Sequence, residues 1–90
     1  MSERLWAIRV MPTARRQLGG LPERYAAAVI ELLSAIAANP KRLGKPLRFE
    51  LEGRWAARRG PYRVIYALDE EAHAVIVLAV AHRADVYRSR

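Results

Sequence analysis

The sequence contains no cysteine, which excludes disulfide bonds and thiolate metal sites. Its two histidines, His73 and His82, are too few to make a metal centre by themselves, so we predict no metal and no cofactor. The longest apolar run, residues 74–81, is too short to span a bilayer. No long apolar stretch follows basic residues near the N-terminus, as a secretory signal would require. These absences predict a soluble cytoplasmic protein.

Acidic residues are scarce compared with basic ones. The ninety residues include sixteen lysines and arginines but only nine aspartates and glutamates, which gives a formal net charge of +7. Such an excess favours a polyanionic partner, for example nucleic acid, a ribosome surface or an acidic protein, although charge also serves solubility. Only Lys41 and Lys45 are lysines. Because arginine binds phosphate through a bidentate fork and stacks on bases, this bias favours recognition.

The length and the 52% hydrophobic content predict a single folded domain over residues 1–90. Alternating apolar residues at positions 5–11 predict a half-buried strand at its start. Two helices should follow, because apolar residues then recur at helical spacing. The glycines and the proline of the segment GGLP at 19–22 should end the first helix and begin the second. The second helix should end ahead of Pro40, since the residue before a proline avoids helical geometry.

The second half of the chain predicts strands joined by short turns. We expect residues 40–47 to form a loop and residues 47–51 a short edge strand. Three further strands are predicted over residues 54–59, 62–68 and 74–81, the last one central because it is apolar on both faces. The order predicts a two-layer α+β domain that consists of an N-terminal strand, a helical hairpin and an antiparallel β-meander.

Arginines are concentrated where the third predicted strand meets the fourth. Four of them lie within ten residues: Arg54, Arg58, Arg59 and Arg63. Charges beside a buried strand must be paired or desolvated, so the cluster predicts a concave site for an anion, most plausibly a phosphate. The alternative is a solvated basic face. A second cluster after the last strand favours the site: His82, Arg83, Tyr87 and Arg88.

Short motifs recur along nearly the whole chain in a specific order. They are LP at 21–22, NP at 39–40, LGKPL at 43–47, LEG at 51–53, RRGPYRVIY at 58–66, AHR at 81–83 and VYR at 86–88. Each motif is weak alone, but their order and spacing together are specific. With them the chain resembles the RelE/ParE superfamily of toxin–antitoxin toxins, on the RelE side.

The resemblance implies a fold like that of a small microbial ribonuclease, with an antiparallel sheet backed by two helices. It implies a ribosome-dependent endoribonuclease that enters the decoding site and cuts translated mRNA. It also implies a cognate antitoxin that wraps and inactivates the toxin and through which the complex binds operator DNA. ParE-like relatives share the fold but target DNA gyrase, which leaves a non-nuclease toxin as an alternative.

Metal-independent RNA cleavage must deprotonate the ribose 2′-hydroxyl, stabilise the phosphorane and protonate the 5′-oxygen. The resemblance matches Arg63 and Arg83 to family arginines, and Arg63 is our first candidate for phosphate stabilisation. The alternative for Arg63 is a structural ion pair with Asp69 or Glu50. Tyr87 matches a family tyrosine that could stack on a base or orient the 2′-hydroxyl, or else cover the core.

The remaining candidates follow from residue type and alternation. His82 could act as an acid or base, since histidine exchanges protons near neutral pH, but alternation could equally turn it into the core. Four cations are candidates for binding RNA phosphates: Lys45, Arg54, Arg58 and Arg59. If the last two lie on a strand they point to opposite faces, so at most one faces the site directly.

One departure from the family pattern affects the chemistry. RelE-type sites carry a lysine pair in the strand where this chain has Arg54, Ala56 and Arg58 on one face. Arginine is a poor general base because it stays protonated. Lys45 could substitute from the loop, or be solvated. A catalytically degenerate RNA-binding module therefore remains an alternative to the nuclease.

Overall fold

The computed structural model describes residues 4–82. The elements in chain order are β1 (Ala7–Val10), α1 (Pro12–Gly19), α2 (Glu23–Ala38), α3 (Pro40–Leu43), β2 (Lys45–Pro46), β3 (Arg54–Arg59), β4 (Tyr62–Asp69) and β5 (Ala74–His82). This order confirms the predicted α+β class, with an N-terminal strand, a helical pair and an antiparallel meander. Within residues 4–82, no helix is both long enough and apolar enough to cross a membrane.

The five strands form one sheet in the order β1-β5-β4-β3-β2. The last strand, β5, lies between β1 and β4, so the prediction of an interior strand at residues 74–81 is confirmed. β1 runs parallel to β5, with Ala7 opposite Ala74, whereas the other three pairings are antiparallel. The sheet is therefore mixed: the antiparallel arrangement that the resemblance implied is confirmed from β2 to β5, and β1 departs from it.

Prolines fix the starts of the helices. Pro12 occupies the first turn of α1, and Pro22 precedes α2, whose first turn carries Glu23. The apolar spacing predicts a stripe along α2 at Tyr25, Val29, Leu32, Leu33 and Ile36. The last four are buried in one core with valines of β4 and β5, and Tyr25 is half-buried. Each such side chain contributes about 1.5–3 kcal/mol on full burial. The helices therefore cover one face of the sheet and leave the other open.

The part of β5 beyond Val77, which β1 does not reach, is covered by α1. β1 pairs with β5 only as far as Val77, and beyond that point the backbone N–H of Val80 donates to the Gln17 side-chain oxygen at 2.7 Å. At the other end of β5, the His73 ring stacks on Trp6 with a centroid separation of 4.2 Å. The first contact joins this edge of the sheet to α1, and the second packs the residue that precedes β1 against the residue that precedes β5.

The prediction for residues 40–51 is wrong in two places. The expected loop contains the short helix α3 and the two-residue strand β2, and the expected edge strand at residues 47–51 is instead a 3-10 turn over Phe49–Leu51. The last β3 bond in this region runs from the Leu47 N–H to the Arg54 oxygen at 2.8 Å. Without further partners on β3, the alternating sequence FELE forms a turn rather than a strand.

A buried tyrosine explains why α3 and β2 are ordered. The Tyr66 hydroxyl donates a hydrogen bond to the Pro40 carbonyl oxygen at 2.6 Å, and the side chain is fully buried. The backbone of Gly44 lies against the same ring, where an added β-carbon would come within 2.9 Å of Tyr66 Cζ and 3.1 Å of the Ala56 oxygen. Only glycine allows this approach, which brings β2 into register on β3.

Candidate anion-binding site

The two faces of the sheet separate the predicted site residues. On β3, Ala57 is buried beneath the helices, so by alternation Arg59 shares the helix side while Arg54, Ala56 and Arg58 lie on the open side. The prediction that neighbouring Arg58 and Arg59 point to opposite faces is therefore confirmed.

Arg58 and Arg63 lie directly opposite each other on β3 and β4. Directly opposed residues share a face, and like charges in that arrangement destabilise a sheet by about 0.2–1 kcal/mol. An anion held between the two guanidinium groups relieves this repulsion and can accept bidentate hydrogen bonds from each. The opposed pair is therefore a candidate site for an anion such as a phosphate.

Both arginines line a groove of about 580 Å³ at the edge of the sheet. Lys45 lines the same groove, together with apolar side chains that include Leu43 and Leu47. Among the described residues that line it, none is acidic. A groove wall that carries three cations favours an anionic ligand over a cationic or neutral one.

Lys45 reaches this groove from β2. It is paired in register with Ala56, so its side chain emerges on the open face next to the methyl group of that residue. The same face continues to Arg58 two positions further along β3. Lys45 was expected to come from a loop, and the structure places it instead on an edge strand.

Arg63 does not form the ion pair with Asp69 that we considered. Asp69 is six residues further along β4, about 20 Å away in an extended strand. Its carboxylate oxygen accepts a hydrogen bond from the Ala72 N–H at 3.1 Å. The Asp69 alternative is therefore wrong, because the two residues lie at opposite ends of the strand.

The structure does not bring Arg59 and Arg54 into the groove. Arg59 forms an ion pair with Glu31 of α2 at 2.7 Å on the helix side of the sheet. Both side chains are substantially exposed, so this pair is worth about 0–1 kcal/mol. Arg54 lies on the open face, but about 13 Å from Arg58 along β3. It can contact only a ligand that extends along the strand.

His82 lies on the opposite side of the sheet from Arg63. It is paired with Tyr62, and the two rings meet edge-on with centroids 5.3 Å apart. Tyr62 in turn contacts Tyr25 of α2 at 5.3 Å. A smaller cavity of about 310 Å³ borders His82, Gln17 and Tyr62 on this side. The sheet therefore separates His82 from the opposed arginines Arg58 and Arg63.

Arg83 and Tyr87, the other two predicted catalytic residues, lie outside the described residues and stay predictions. Sequence reasoning missed two residues that shape the site, Tyr66 and Gly44, which hold β2 in place. Burial raises the pKa of Tyr66 to about 12, so its hydroxyl remains a donor to Pro40 at physiological pH. The only sequence signal was a glycine directly before Lys45.

The fold and the site together define a small basic α+β domain with two opposed arginines on the open face of its sheet. The model of the ParE toxin of the type II toxin–antitoxin system parDE matches residues 8–87. The chain therefore belongs to this toxin family.

Its relatives are RelE-like. It is 49% identical to toxin RelG of Mycobacterium tuberculosis over 84 residues, covering 92% of this chain and 97% of that protein. It is 48% identical to toxin RelE of the same organism over 82 residues, covering 90% and 84%. These relatives confirm the resemblance to RelE-like toxins.

Solved structures agree with the assignment of the chain to this toxin family. The fold matches a chain of the RelBE2 toxin–antitoxin complex from Mycobacterium tuberculosis with a TM-score of 0.84 and 48% identity, covering 90% of this chain and 94% of that one. It also matches the isolated Escherichia coli RelE toxin with a TM-score of 0.74 at 17% identity, covering 92% of each chain. The second match supports the fold alone.

Proposed function

We propose that this chain, a toxin of a RelBE-type toxin–antitoxin system, is a ribosome-dependent endoribonuclease that cuts translated mRNA in the cytoplasm. The observation that carries the proposal is the opposed pair Arg58 and Arg63, which lines one groove together with Lys45. A phosphodiester is the anion that such a planar, bidentate arrangement fits best.

In the proposed reaction the ribose 2′-oxygen attacks the adjacent phosphorus and expels the 5′-oxygen. Negative charge grows on the non-bridging oxygens of the phosphorane, where fixed guanidinium groups stabilise it more than they stabilise the substrate. Arg63 and Arg58 take this role. Arg83 and Tyr87 are expected to complete the site from the C-terminal segment, on the resemblance alone.

The open face offers more than the scissile phosphate position. Arg54 lies about 13 Å from Arg58 on the same side of β3, so it can contact a different, non-adjacent phosphate of an extended single strand. Single strands bind along such basic tracks, and their affinity falls steeply with salt. The RNA is therefore proposed to run along β3.

A cognate antitoxin is the second proposed partner. The RelE-like chains in the matched structures from Mycobacterium tuberculosis and Pyrococcus horikoshii are in complexes with an antitoxin. Here the groove wall is basic, and Leu43, Phe49 and Leu51 are exposed beside or near it. An acidic segment with apolar anchors complements this surface. Binding of operator DNA is proposed to occur only through the antitoxin.

Inhibition of DNA gyrase is the competing function, and the ParE family match favours it. A gyrase inhibitor would not depend on phosphate contacts at the opposed arginines. A degenerate RNA-binding toxin is a third candidate, because the open face of β3 carries no lysine among its described residues. It would bind RNA without cutting it.

Mapping of mRNA 5′ ends after induced expression tests these candidates. Wild type, Arg58→Ala, Arg63→Ala and the control Arg15→Ala, which removes an exposed arginine of α1, are compared in one host. The proposal expects growth arrest with new ends inside translated frames for wild type and the control, and loss of both for the groove variants. Growth arrest without new ends, unchanged in the groove variants, would favour gyrase.

A further inference from the structure

One register row of the sheet carries an arginine at each end on the open face. Arg9 of β1 is paired with Ile76 of β5, which is paired in turn with Ala67 of β4. Ala67 is paired with Arg54 of β3. The residues on either side of Arg9 in β1 pack against the core, so Arg9 itself lies exposed on the open side. Three strand spacings, about 14 Å, separate it from Arg54.

Together with the opposed pair, these two arginines place cations at three separate positions on the open face. Arg54 and the opposed pair share β3, whereas Arg9 lies at the far edge of the sheet. All of them start from paired strands, so the backbone fixes the spacing between them before any ligand binds. Two positions along β3 leave a bound polyanion free to turn about that strand. A third position away from the strand fixes its direction across the sheet.

The charge of Arg9 has little to balance it within the fold. Neither ion pair described within residues 4–82 includes Arg9. Among the residues of the five described strands, only Asp69 is acidic, and its carboxylate already accepts the Ala72 N–H at 3.1 Å. The competing explanation is protection of the sheet edge, because charged side chains on edge strands prevent pairing between molecules. The two explanations differ in whether RNA affinity depends on Arg9.

The place of Arg9 favours RNA over the antitoxin as its partner. The exposed apolar residues of the proposed antitoxin surface lie just before and after β2 in the chain: Leu43, Phe49 and Leu51. β1 is the opposite edge of the sheet, four strand spacings or about 19 Å away. An arginine there extends the basic surface away from those anchors, and its planar fork suits the oxygens of a phosphodiester.

We infer that Arg9 binds an RNA phosphate on the open face, so that the bound RNA extends across the sheet from Arg54 to β1. The inference rests on the proposed action on translated mRNA. The phosphate belongs to the mRNA or to the ribosomal RNA beside it, and both present the same phosphodiester chemistry. The proposed roles of Arg83 and Tyr87 are unchanged, because they follow His82, which lies about 20 Å along β5 from the row of Arg9.

Binding to a ribosome that carries an uncleavable mRNA tests the inference. The mRNA has 2′-deoxyribose throughout the A-site codon, so the attacking hydroxyl is absent and binding is measured without cutting. The Kd of the labelled full chain is measured at several salt concentrations for wild type, Arg9→Gln, Arg54→Gln and the double variant. Arg24→Gln is the matched control, because it removes one exposed arginine from α2, where the guanidinium lies over the Tyr25 ring. Circular dichroism melting verifies that each variant is folded.

Arg9→Gln and Arg54→Gln should each raise the Kd about tenfold, since each removes a charge-assisted hydrogen bond. Each should also reduce the slope of log Kd against log salt by about 0.7, the value for one phosphate contact on a single strand. The double variant should show the combined effects, because sites about 14 Å apart act independently. Arg24→Gln should match wild type in both quantities.

Methylphosphonates placed one at a time along the mRNA identify the source of the phosphate. A neutral linkage that weakens the binding of wild type but not of Arg9→Gln marks the mRNA phosphate that Arg9 contacts. If Arg9→Gln reduces the salt slope and no mRNA linkage behaves in this way, the contact is with ribosomal RNA. Both results support the inference.

Three results would overturn the inference. Wild-type Kd and slope for Arg9→Gln, with stronger light scattering from the free toxin, would assign Arg9 to protection of the sheet edge. An equal loss for Arg24→Gln would reduce the effect to net charge. Weaker antitoxin binding with unchanged ribosome binding would assign Arg9 to the protein partner. Failure of the nuclease is a separate result, in which folded wild type binds the ribosome but cuts no all-ribose mRNA, whatever the Kd of Arg9→Gln.

Discussion

The phenol ring of Tyr66 fills the space that a side chain at Gly44 would need. The hydroxyl of the same side chain donates a hydrogen bond to the Pro40 carbonyl oxygen at 2.6 Å. A residue in the centre of the sheet therefore determines where the edge strand β2 lies, and with it the position of Lys45. The site on the open face depends on packing that occurs on the other side of the sheet.

Gly44→Ala should destabilise the protein. The added methyl group would lie 2.9 Å from Tyr66 Cζ and 3.1 Å from the Ala56 backbone oxygen, and overpacking of this kind costs about 1–3 kcal/mol. Urea unfolding measures the change. The control is Gly19→Ala, where a new β-carbon meets nothing within 4 Å, and its stability should be unchanged or slightly higher. Equal effects at the two positions would contradict the packing argument.

Tyr66→Phe removes the buried donor and leaves the Pro40 carbonyl without it. We expect a loss of about 1–3 kcal/mol in the free energy of unfolding, since an unsatisfied buried acceptor retains its desolvation cost. Tyr25→Phe is the control, because the hydroxyl of Tyr25 bonds only to Arg24 at the surface among the described contacts. Thermal melts of both variants at pH 7 compare the two positions.

The decline of the free energy of unfolding at alkaline pH should also depend on Tyr66. Burial raises its pKa from 10.0 to about 12, so the unfolded chain loses this proton first as the pH rises. The contribution of the neutral hydroxyl is therefore complete below pH 10 and declines between pH 10 and about 12, by up to about 3 kcal/mol. The difference in unfolding free energy between wild type and Tyr66→Phe should shrink across this window. A constant difference would contradict the buried donor.

Arg58→Ala should raise stability while it lowers cleavage. It removes one half of the like-charge pair with Arg63, which is worth about 0.2–1 kcal/mol. Its neighbour offers the matched comparison, since Arg59→Ala breaks the ion pair with Glu31 and should lower stability by about 0–1 kcal/mol. Melting temperatures at low ionic strength measure both. Added salt should reduce both differences, because screening weakens repulsion and attraction alike.

Phe49→Asn should stabilise the isolated toxin and weaken its complex with the antitoxin. Phe49 is 85% exposed and has a φ of 61°, a left-handed conformation that asparagine adopts more readily. We expect a gain of about 0.5–1 kcal/mol in unfolding free energy. Loss of an exposed aromatic anchor should raise the Kd for the cognate antitoxin at least tenfold, as measured by titration calorimetry. An unchanged Kd would place the antitoxin contact elsewhere.

Local patterns in the sequence were sufficient for the helices, the three long strands and the alternation of Arg58 and Arg59. The apolar stripe from Val29 to Ile36 has only one compatible periodicity, and glycine at positions 53 and 60 marks the turns, both with positive φ. These features depend on neighbours in the chain. That is why they could be predicted without any knowledge of tertiary contacts.

The errors arose where distant residues decide the structure. The short strand β2 exists because Tyr66, more than twenty residues later, bonds to Pro40, and no pattern near residue 45 records that contact. The parallel pairing of β1 with β5 joins the two ends of the described chain and is a matter of topology. The grouping of Lys45 with the opposed arginines required the register of three strands, which sequence spacing alone does not give.

The separation of the two sheet faces has a consequence for how cells escape from such a toxin. Mutations selected for survival fall into two kinds. Those at buried positions of the helix face, such as Val64 or Tyr66, should lower the amount of folded toxin. Those at Arg58 or Arg63 on the open face should leave a folded molecule that no longer cuts RNA, and this molecule should also bind the antitoxin less tightly, because the same groove is the proposed antitoxin surface. Both kinds should therefore leave antitoxin available to active copies of the toxin elsewhere in the cell.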